Sequence, residues 1–441
     1  MKTEKTPDQR FKPYTVYKDS GVEWLGKIPM RWELKRLKYV APLRLEKLST
    51  KPDEAAYVGL ENVESWTGRL LLDKQPETVD SVVAAFCPGD VLFGKLRPYL
   101  AKAARPDFAG VCTSEILPFR PSGENSQSYV TYCLLNAPYI KWLESLTYGT
   151  KMPRVSPEQV SNSFMPAPPP AEQRVIAAFL DRETAKIDAL VAKKKMLIEM
   201  LQEKRMALIT RAVTKGLDPN VPMKDSGIEW LGEIPEHWRS LALKRIGDFQ
   251  AGAGFPDDEQ GIQDEEIPFF KVGDMGAPGN EREMLVHQHS VSRATARRLG
   301  AFVFPAGTIV FAKVGAALLL NRRRLVTRPS CIDNNMMGFM PEHCDSEWAM
   351  YWLSELDMGE LANPGAVPSV NEGQMRDSPA AIPPPSEQRA CAAFLDRETS
   401  KIDALITKVR EAIDRLKEYR TALISAAVTG KIDVRDALDK T

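Results

Sequence analysis

Residues 168–214 read PPPAEQRVIAAFLDRETAKIDALVAKKKMLIEMLQEKRMALITRAVT, and residues 383–429 read PPPSEQRACAAFLDRETSKIDALITKVREAIDRLKEYRTALISAAVT. The copies align without a gap at an offset of 383 − 168 = 215, with about two-thirds of positions identical, which marks an internal repeat. Three prolines exclude a helix before each copy and suit its first turn, and Ser386 is placed to N-cap the second. The interior then runs for about 40 residues without Gly or Pro, and Gly216 and Gly430 stand just past the ends, where helices commonly stop. Apolar residues recur at steps of four and three: Ile176, Leu180, Ile187, Leu190, Leu197, Leu201 and Leu208, then Cys391, Leu395, Ile402, Leu405, Val409, Leu416 and Leu423. This heptad seam predicts two helices, each ~65 Å long and packed on a partner helix. Glu183 and Glu398 fall at equivalent places in that seam; they are either half-exposed near the helix ends or fix the helix register.

A second repeat opens each half. DSGVEWLGKIPMRW begins at Asp19 and DSGIEWLGEIPEHW at Asp225, an offset of 206. The Asp-Ser-Gly start reads as a turn. Trp24, Leu25, Ile28 and Trp32, with Trp230, Leu231, Ile234 and Trp238, read as an apolar plug that anchors each domain, against the alternative of base stacking by the tryptophans.

The regions between plug and helix have diverged, but landmarks survive in register. YVGLENV (57–63) parallels FFKVGDM (269–275), and FCPGDVLFGKL (86–96) parallels FPAGTIVFAKV (304–314). CTSEILPF (112–119) loosely parallels CIDNNMMGF (331–339), and MPRVS (152–156) matches VPSVN (367–371). Short β-branched and aromatic runs bounded by Gly and Pro read as strands of a curled sheet, followed by helical segments near 128–146 and 346–361. The fold class is therefore α+β, a tandem duplication with pseudo-two-fold symmetry. Its expected order is a first domain (1–167), a spacer helix (168–216), a second domain (217–382), a second spacer helix (383–430) and a tail (431–441).

The 441 residues carry a formal net charge of zero, so any nucleic-acid-binding face must come from local clustering rather than from the total. Residues 293–328 contain no Asp or Glu and hold Arg293, Arg297, Arg298, Lys313, Arg322, Arg323, Arg324 and Arg328. Residues 91–106 are likewise acid-free and hold Lys95, Arg97, Lys102 and Arg105. Both runs lie at the same landmark, with Lys95 aligned to Lys313. Phosphate contacts need clustered Lys and Arg, while Arg and Asn also read base edges. These residues, with Asn321 and with Lys151 and Arg154 from the loop before the first long helix, are the candidate DNA-binding set.

Other chemistry finds little support. There is no phosphate-cradling GxxxxGK[ST], no Gly-rich turn opening a βαβ unit and no NPPF-like adenine-methylating tetrapeptide. No catalytic set is assigned, and His287 and His289 lack neighbouring ligands, so no metal site is expected. Six cysteines without a CxxC pair read as reduced residues of a cytoplasmic protein. Residues 3–14 are polar, so no signal peptide is expected; the longest apolar run, near 314–320, is too short to span a bilayer.

The two repeated motifs, KDSGVEWLGKIPMRW with KDSGIEWLGEIPEHW and PPPAEQRVIAAFLDRETAKIDAL with its second copy, occur in an order that resembles the specificity subunit of type I restriction-modification enzymes. The resemblance covers nearly the whole chain. It implies two target-recognition domains on an antiparallel coiled-coil spacer, no catalysis by this chain, and binding to a two-part sequence in double-stranded DNA. It further implies two adenine-methylating partner subunits that use S-adenosylmethionine, to which restriction subunits can be added for cleavage dependent on ATP and Mg. Helices kept alike suit two copies of one partner, whereas diverged domains suit an asymmetric target with half-sites near one DNA turn apart, ~34 Å. Two departures from the pattern stand out. Residues 249–266 are acidic without a first-half counterpart, and Ala366 and Ser369 replace Lys151 and Arg154 in the second loop.

Overall fold

The computed structural model describes residues 11–72, 79, 81–363 and 365–437. Most of the polar N-terminal stretch and the last four residues of the tail lie outside them. The chain divides into two compact units, Met1–Met196 with Lys408–Thr441, and Leu197–Thr407. The long helices run Pro170–Lys215 and Pro385–Val428, so each unit contains a stretch of both.

In the first unit the plug motif forms a hairpin, Tyr17–Asp19 against Lys27–Pro29, closed by an Asp19 carboxylate that accepts from the Gly21 amide. The strand Glu33–Arg36 then pairs with Phe164–Ala167, which leads directly into the first long helix. Between them lie a four-stranded sheet ordered Lys47–Leu48, Val83–Phe86, Gly110–Thr113, Ala56–Val58, and a three-stranded sheet ordered Ile116–Phe119, Val91–Gly94, Ala103–Ala104. Helices Gln127–Leu134 and Ala137–Ser145 follow, and their Tyr129, Tyr139, Ile140 and Leu143 join the main core with Ile176, Leu180 and Leu423 of the long helices.

The second unit repeats this order with more sheet. Its plug hairpin pairs Met223–Asp225 with Glu233–Pro235, and Arg239–Ala242 pairs with Pro379–Ile382 just before the second long helix. A five-stranded sheet runs Gly247–Ala251, Met336–Pro341, Ile309–Ala312, Arg323–Val326, Glu283–Met284, beside a three-stranded one built on Ile267–Phe270. The aligned landmarks occupy equivalent pairings. Ala56–Val58 pairs in parallel with the strand that holds Cys112, as Ile267–Phe270 pairs in parallel with the strand that holds Cys331, with the register shifted by one residue.

The seam keeps most of the expected residues: Ile176, Leu180, Ile187, Cys391, Leu395, Ile402, Val409, Leu416 and Leu423 are buried, and Leu190 and Leu405 are not. Leu190 and Leu405 are each 43% exposed, while Ile406 is 6% exposed. Along the second helix Thr399, Ile402, Ile406, Val409, Ile413, Leu416, Arg420, Leu423 and Ala427 are all buried, at steps alternating between three and four. Leu197, Leu201 and Leu208 are half-buried. Beside Glu183 and Glu398 the buried residues are Thr184 and Thr399, whose hydroxyls face Tyr132 and Tyr351. Each glutamate pairs along its own helix, Glu183 with Arg182 and Lys186, Glu398 with Arg397 and Lys401. They do not set the register. At 405–406 a leucine count picks the wrong residue, because the buried isoleucine stands one position further on.

Candidate nucleic-acid interface

What the two repeats share most closely is the attachment of each domain to the helices. In the first unit the Trp32 indole, fully buried, donates to Glu172 at 3.0 Å, and Tyr14 donates to the same carboxylate at 2.7 Å. In the second, buried Trp238 donates to Glu387 at 3.1 Å. The glycine past each helix closes the same corner. Gly430 has φ 71° and lies so near Pro29 and Trp32 that a β-carbon would overlap the proline ring, while Gly216, with φ 75°, abuts Trp238. Each plug tryptophan therefore sits where one long helix starts and the other ends. Trp24 meets Tyr139 edge to face and Trp142 at a tilt, whereas Trp230 is 52% exposed, 6.0 Å from Trp352.

Further along, each helix carries the same polar latch. Asp181 accepts from Arg105 at 2.7 Å and from Tyr132 at 2.7 Å, with Thr184 3.2 Å from that hydroxyl. Asp396, 215 residues later, accepts from Arg282 and Tyr351, both at 2.7 Å, with Thr399 at 3.3 Å. The arginines come from different parts of the two domains, so the latch is preserved while the chain that completes it is not. Arg105 thereby leaves the DNA-binding set: its guanidinium is turned to the helix.

The remaining candidate cations sort by what they touch. Arg323 is 4% exposed, lies over the Phe311 ring, and donates to the carbonyls of Leu353 and Leu356; burial pushes its guanidinium down to about 10. Arg324 donates to Asn280, Met275 and Arg323 carbonyls. Asn321 spends both ends of its amide on Asp357 and the Met358 amide, holding the short helix Met358–Leu361. The Arg322–Arg324 triplet is therefore not a DNA-facing cluster. Strand alternation turns Arg323 inward, and only Arg322 lacks a hydrogen bond or ion pair among the described residues. Lys102 donates to the Leu60 carbonyl at 2.6 Å, and Arg154 pairs with Glu115 at 3.1 Å. On the helix Arg293–Arg298, Arg293 pairs with Glu266 and Arg298 with Glu259, which gives the acidic stretch of the second half a structural task; Arg297 is exposed and unpaired among the described residues. Arg328 approaches His287 at 3.4 Å.

Lys95, Arg97 and Lys151 in the first unit, and Lys313 in the second, also have no side-chain partner among the described residues. They stand on one scaffold built twice. In the first unit, Lys95 N donates to Glu115, Val155 N to Lys95 and Arg97 N to Pro153, with bridges Leu96–Arg154 and Tyr148–Arg154. In the second, Lys313 N donates to Asn335, Val370 N to Lys313 and Gly315 N to Pro368, with bridges Val314–Ser369 and Asn363–Ser369. Around Arg97 and Lys151 the first unit exposes Tyr99, Tyr148 and Met152, a mixed basic and aromatic face. Sequence reading missed these three; the signal was their place in the same loops as the aligned lysines. Among the described residues no group of three or more His, Cys, Asp or Glu is disposed to hold a metal ion, and no helix is long and apolar enough to cross a membrane.

A duplicated scaffold that keeps its attachment chemistry and varies its exposed loops defines a tandem recognition protein. The family profile of the type I restriction modification DNA specificity domain matches residues 91–200 and 235–415. The chain belongs to that family, whose members are the sequence-recognising, non-catalytic subunits of a larger enzyme complex. It is similar to the type I restriction enzyme MjaVIII specificity subunit of Methanocaldococcus jannaschii, 24% identical over 308 residues, 67% of this chain and 68% of the relative. The EcoDI specificity subunit of Escherichia coli is 26% identical over 171 residues, 38% of each chain. A solved structure from work on complex assembly and conformational transition of the type I R-M system matches with a TM-score of 0.72 at 18% identity, over 92% of this chain and 99% of that one. The crystal structure of the HsdS subunit from Thermoanaerobacter tengcongensis matches with a TM-score of 0.52, also at 18% identity, over 94% and 100%. These likenesses show the fold.

Proposed function

We propose that this chain reads a two-part, asymmetric sequence in double-stranded DNA and seats two adenine-methylating subunits on it in the cytoplasm, with S-adenosylmethionine held by those partners. Restriction subunits, with their ATP and Mg, add to the same complex when cleavage occurs. One observation carries the reading: the hydrogen-bond scaffold beneath Lys95 and Arg97 recurs beneath Lys313 and Gly315, while the side chains at its tip differ. Surfaces that recur suit a partner present twice, and tips that differ suit two unlike half-sites.

The test is co-expression with a methylation subunit and mapping of methylated adenine across the host genome. A single split motif, with unlike halves and a fixed gap, is the expected result. A stable complex that methylates without sequence preference would show an assembly adaptor instead.

A further inference from the structure

The second domain's tip is aliphatic where the first domain's is basic. The first tip turns from Arg97 (φ 50°) to Ala101 (φ 45°) and the second from Gly315 (φ 76°) to Asn321 (φ 50°), so 321 − 315 = 6 steps replace 101 − 97 = 4. The added length carries Leu319 and Leu320, 52% and 57% exposed, while Leu318 beneath them is 1% exposed and anchors the turn. Val367, on the loop bridged to this one, is 59% exposed. The turn is held at both ends, by Gly315 N on the Pro368 carbonyl and by the Asn321 amide on Asp357 and Met358. Three large aliphatic side chains are thus presented to solvent on two loops tied to each other. Its neighbours Lys313 and Arg322 are cations without a protein partner among the described residues.

We infer that Leu319, Leu320 and Val367 read thymine in the second half-site, by apolar contact with its C5-methyl group in the major groove, while Lys313 and Arg322 hold the adjoining phosphates. The inference rests on the DNA-reading role proposed above and names its chemistry for one domain. A methyl group is the one apolar feature a base pair shows in the major groove, and an aliphatic tip is the surface that gains by covering it. The alternative occupant is a protein partner. The duplication argues against it, because a partner present twice requires a surface present twice. The plug, the latch and the long helices recur, and the aliphatic tip does not.

The experiment uses the complex with its methylation subunits and duplexes carrying the mapped motif, with each thymine replaced in turn by uracil, which removes only the methyl group. At a thymine touched by the tip, the wild-type complex is expected to bind about fourfold more weakly per methyl removed. The variant Leu319→Ser/Leu320→Ser, altered only at exposed positions, is expected to bind the thymine duplex more weakly and to stop distinguishing it from the uracil duplex. Val367→Ser provides a second variant on the other loop with the same expected direction. Wild-type binding unchanged by every uracil, or variants that still distinguish thymine from uracil as wild type does, overturns the inference and leaves the split-motif reading standing. Release of the methylation subunit from the variant complex, with uracil still distinguished, makes the tip a protein-docking surface and also overturns it. Absence of any sequence preference overturns both readings.

Discussion

Arg420, 6% exposed in the seam between the long helices, donates to Asp188 on the opposing helix at 3.0 Å, and its other nitrogens donate to the carbonyls of Trp66 and Thr67 at 2.6 and 2.9 Å. The residues 215 positions away make the equivalent pair in the second unit, Arg205 with Asp403 at 3.1 Å. In each pair the residue numbers sum to 608, so both record one antiparallel register. A buried pair that also binds loop carbonyls is satisfied only in that register, since a slip of one turn leaves a charge unpaired inside the seam.

Arg420→Ala should therefore cost about 1–3 kcal/mol, by stranding the Trp66 and Thr67 carbonyls and leaving the Asp188 carboxylate only its more exposed partner Arg69. The equivalent Arg205→Ala should cost under about 1 kcal/mol, because its partner Asp403 is 55% exposed in its side chain and solvent screens the pair. Urea midpoints of the two variants measure the difference, and equal losses would refute the burial argument.

Glu172→Ala should cost about 1–3 kcal/mol, because it leaves the buried Trp32 indole and the Tyr14 hydroxyl without their acceptor. Glu172→Gln keeps one carboxamide oxygen for those two donors and should recover part of the loss. Differential denaturation of the two variants is the check, and an alanine variant as stable as wild type would show that the carboxylate is dispensable to the plug.

Burial raises the Glu355 carboxyl above its ordinary 4.5, against a hydrogen bond with Thr210 that lowers it. A folded pKa above the unfolded one means that the folded state binds the proton more tightly. The stabilisation is complete below about 4.5 and is lost as pH rises through the folded value, leaving the protein less stable at neutral pH. Glu355→Gln removes the ionisation and keeps an amide for Thr210. It should be more stable than wild type at pH 7, with the gain vanishing below pH 4.5, as thermal melts across that range would record.

The long helices and the duplication were legible because both rest on local signals, an uninterrupted heptad pattern and a gapless repeat. The strand pairing Glu33–Arg36 with Phe164–Ala167 was not, since nothing local in either segment announces a partner about 130 residues away. Charge counting marked whole loops, whereas the structure divides the side chains within them by what they touch. Arg322, Arg323 and Arg324 are alike in sequence, but consecutive residues of a strand face opposite ways, and two of the three are spent on backbone carbonyls. The acidic stretch seemed alien to a DNA-binding domain because its purpose, pairing Glu259 and Glu266 with Arg298 and Arg293, is tertiary.

That sorting yields the sharpest test of the interface. Arg97 is exposed with no protein partner among the described residues, on the loop tied to the one that carries Lys151. Removing one cation that meets a phosphate should lower the slope of log K against log salt by about 0.9 for duplex DNA. Arg97→Ala and Lys151→Ala should each reduce it by roughly that amount if each meets one phosphate, and the double variant by about twice as much. Arg324→Ala should leave the slope unchanged, because its guanidinium is committed to the Asn280 and Met275 carbonyls, and should lower stability instead. A slope that falls for Arg324→Ala and holds for Arg97→Ala would reverse the assignment, placing the DNA on the face of the strand Arg323–Val326 rather than on the scaffold loops.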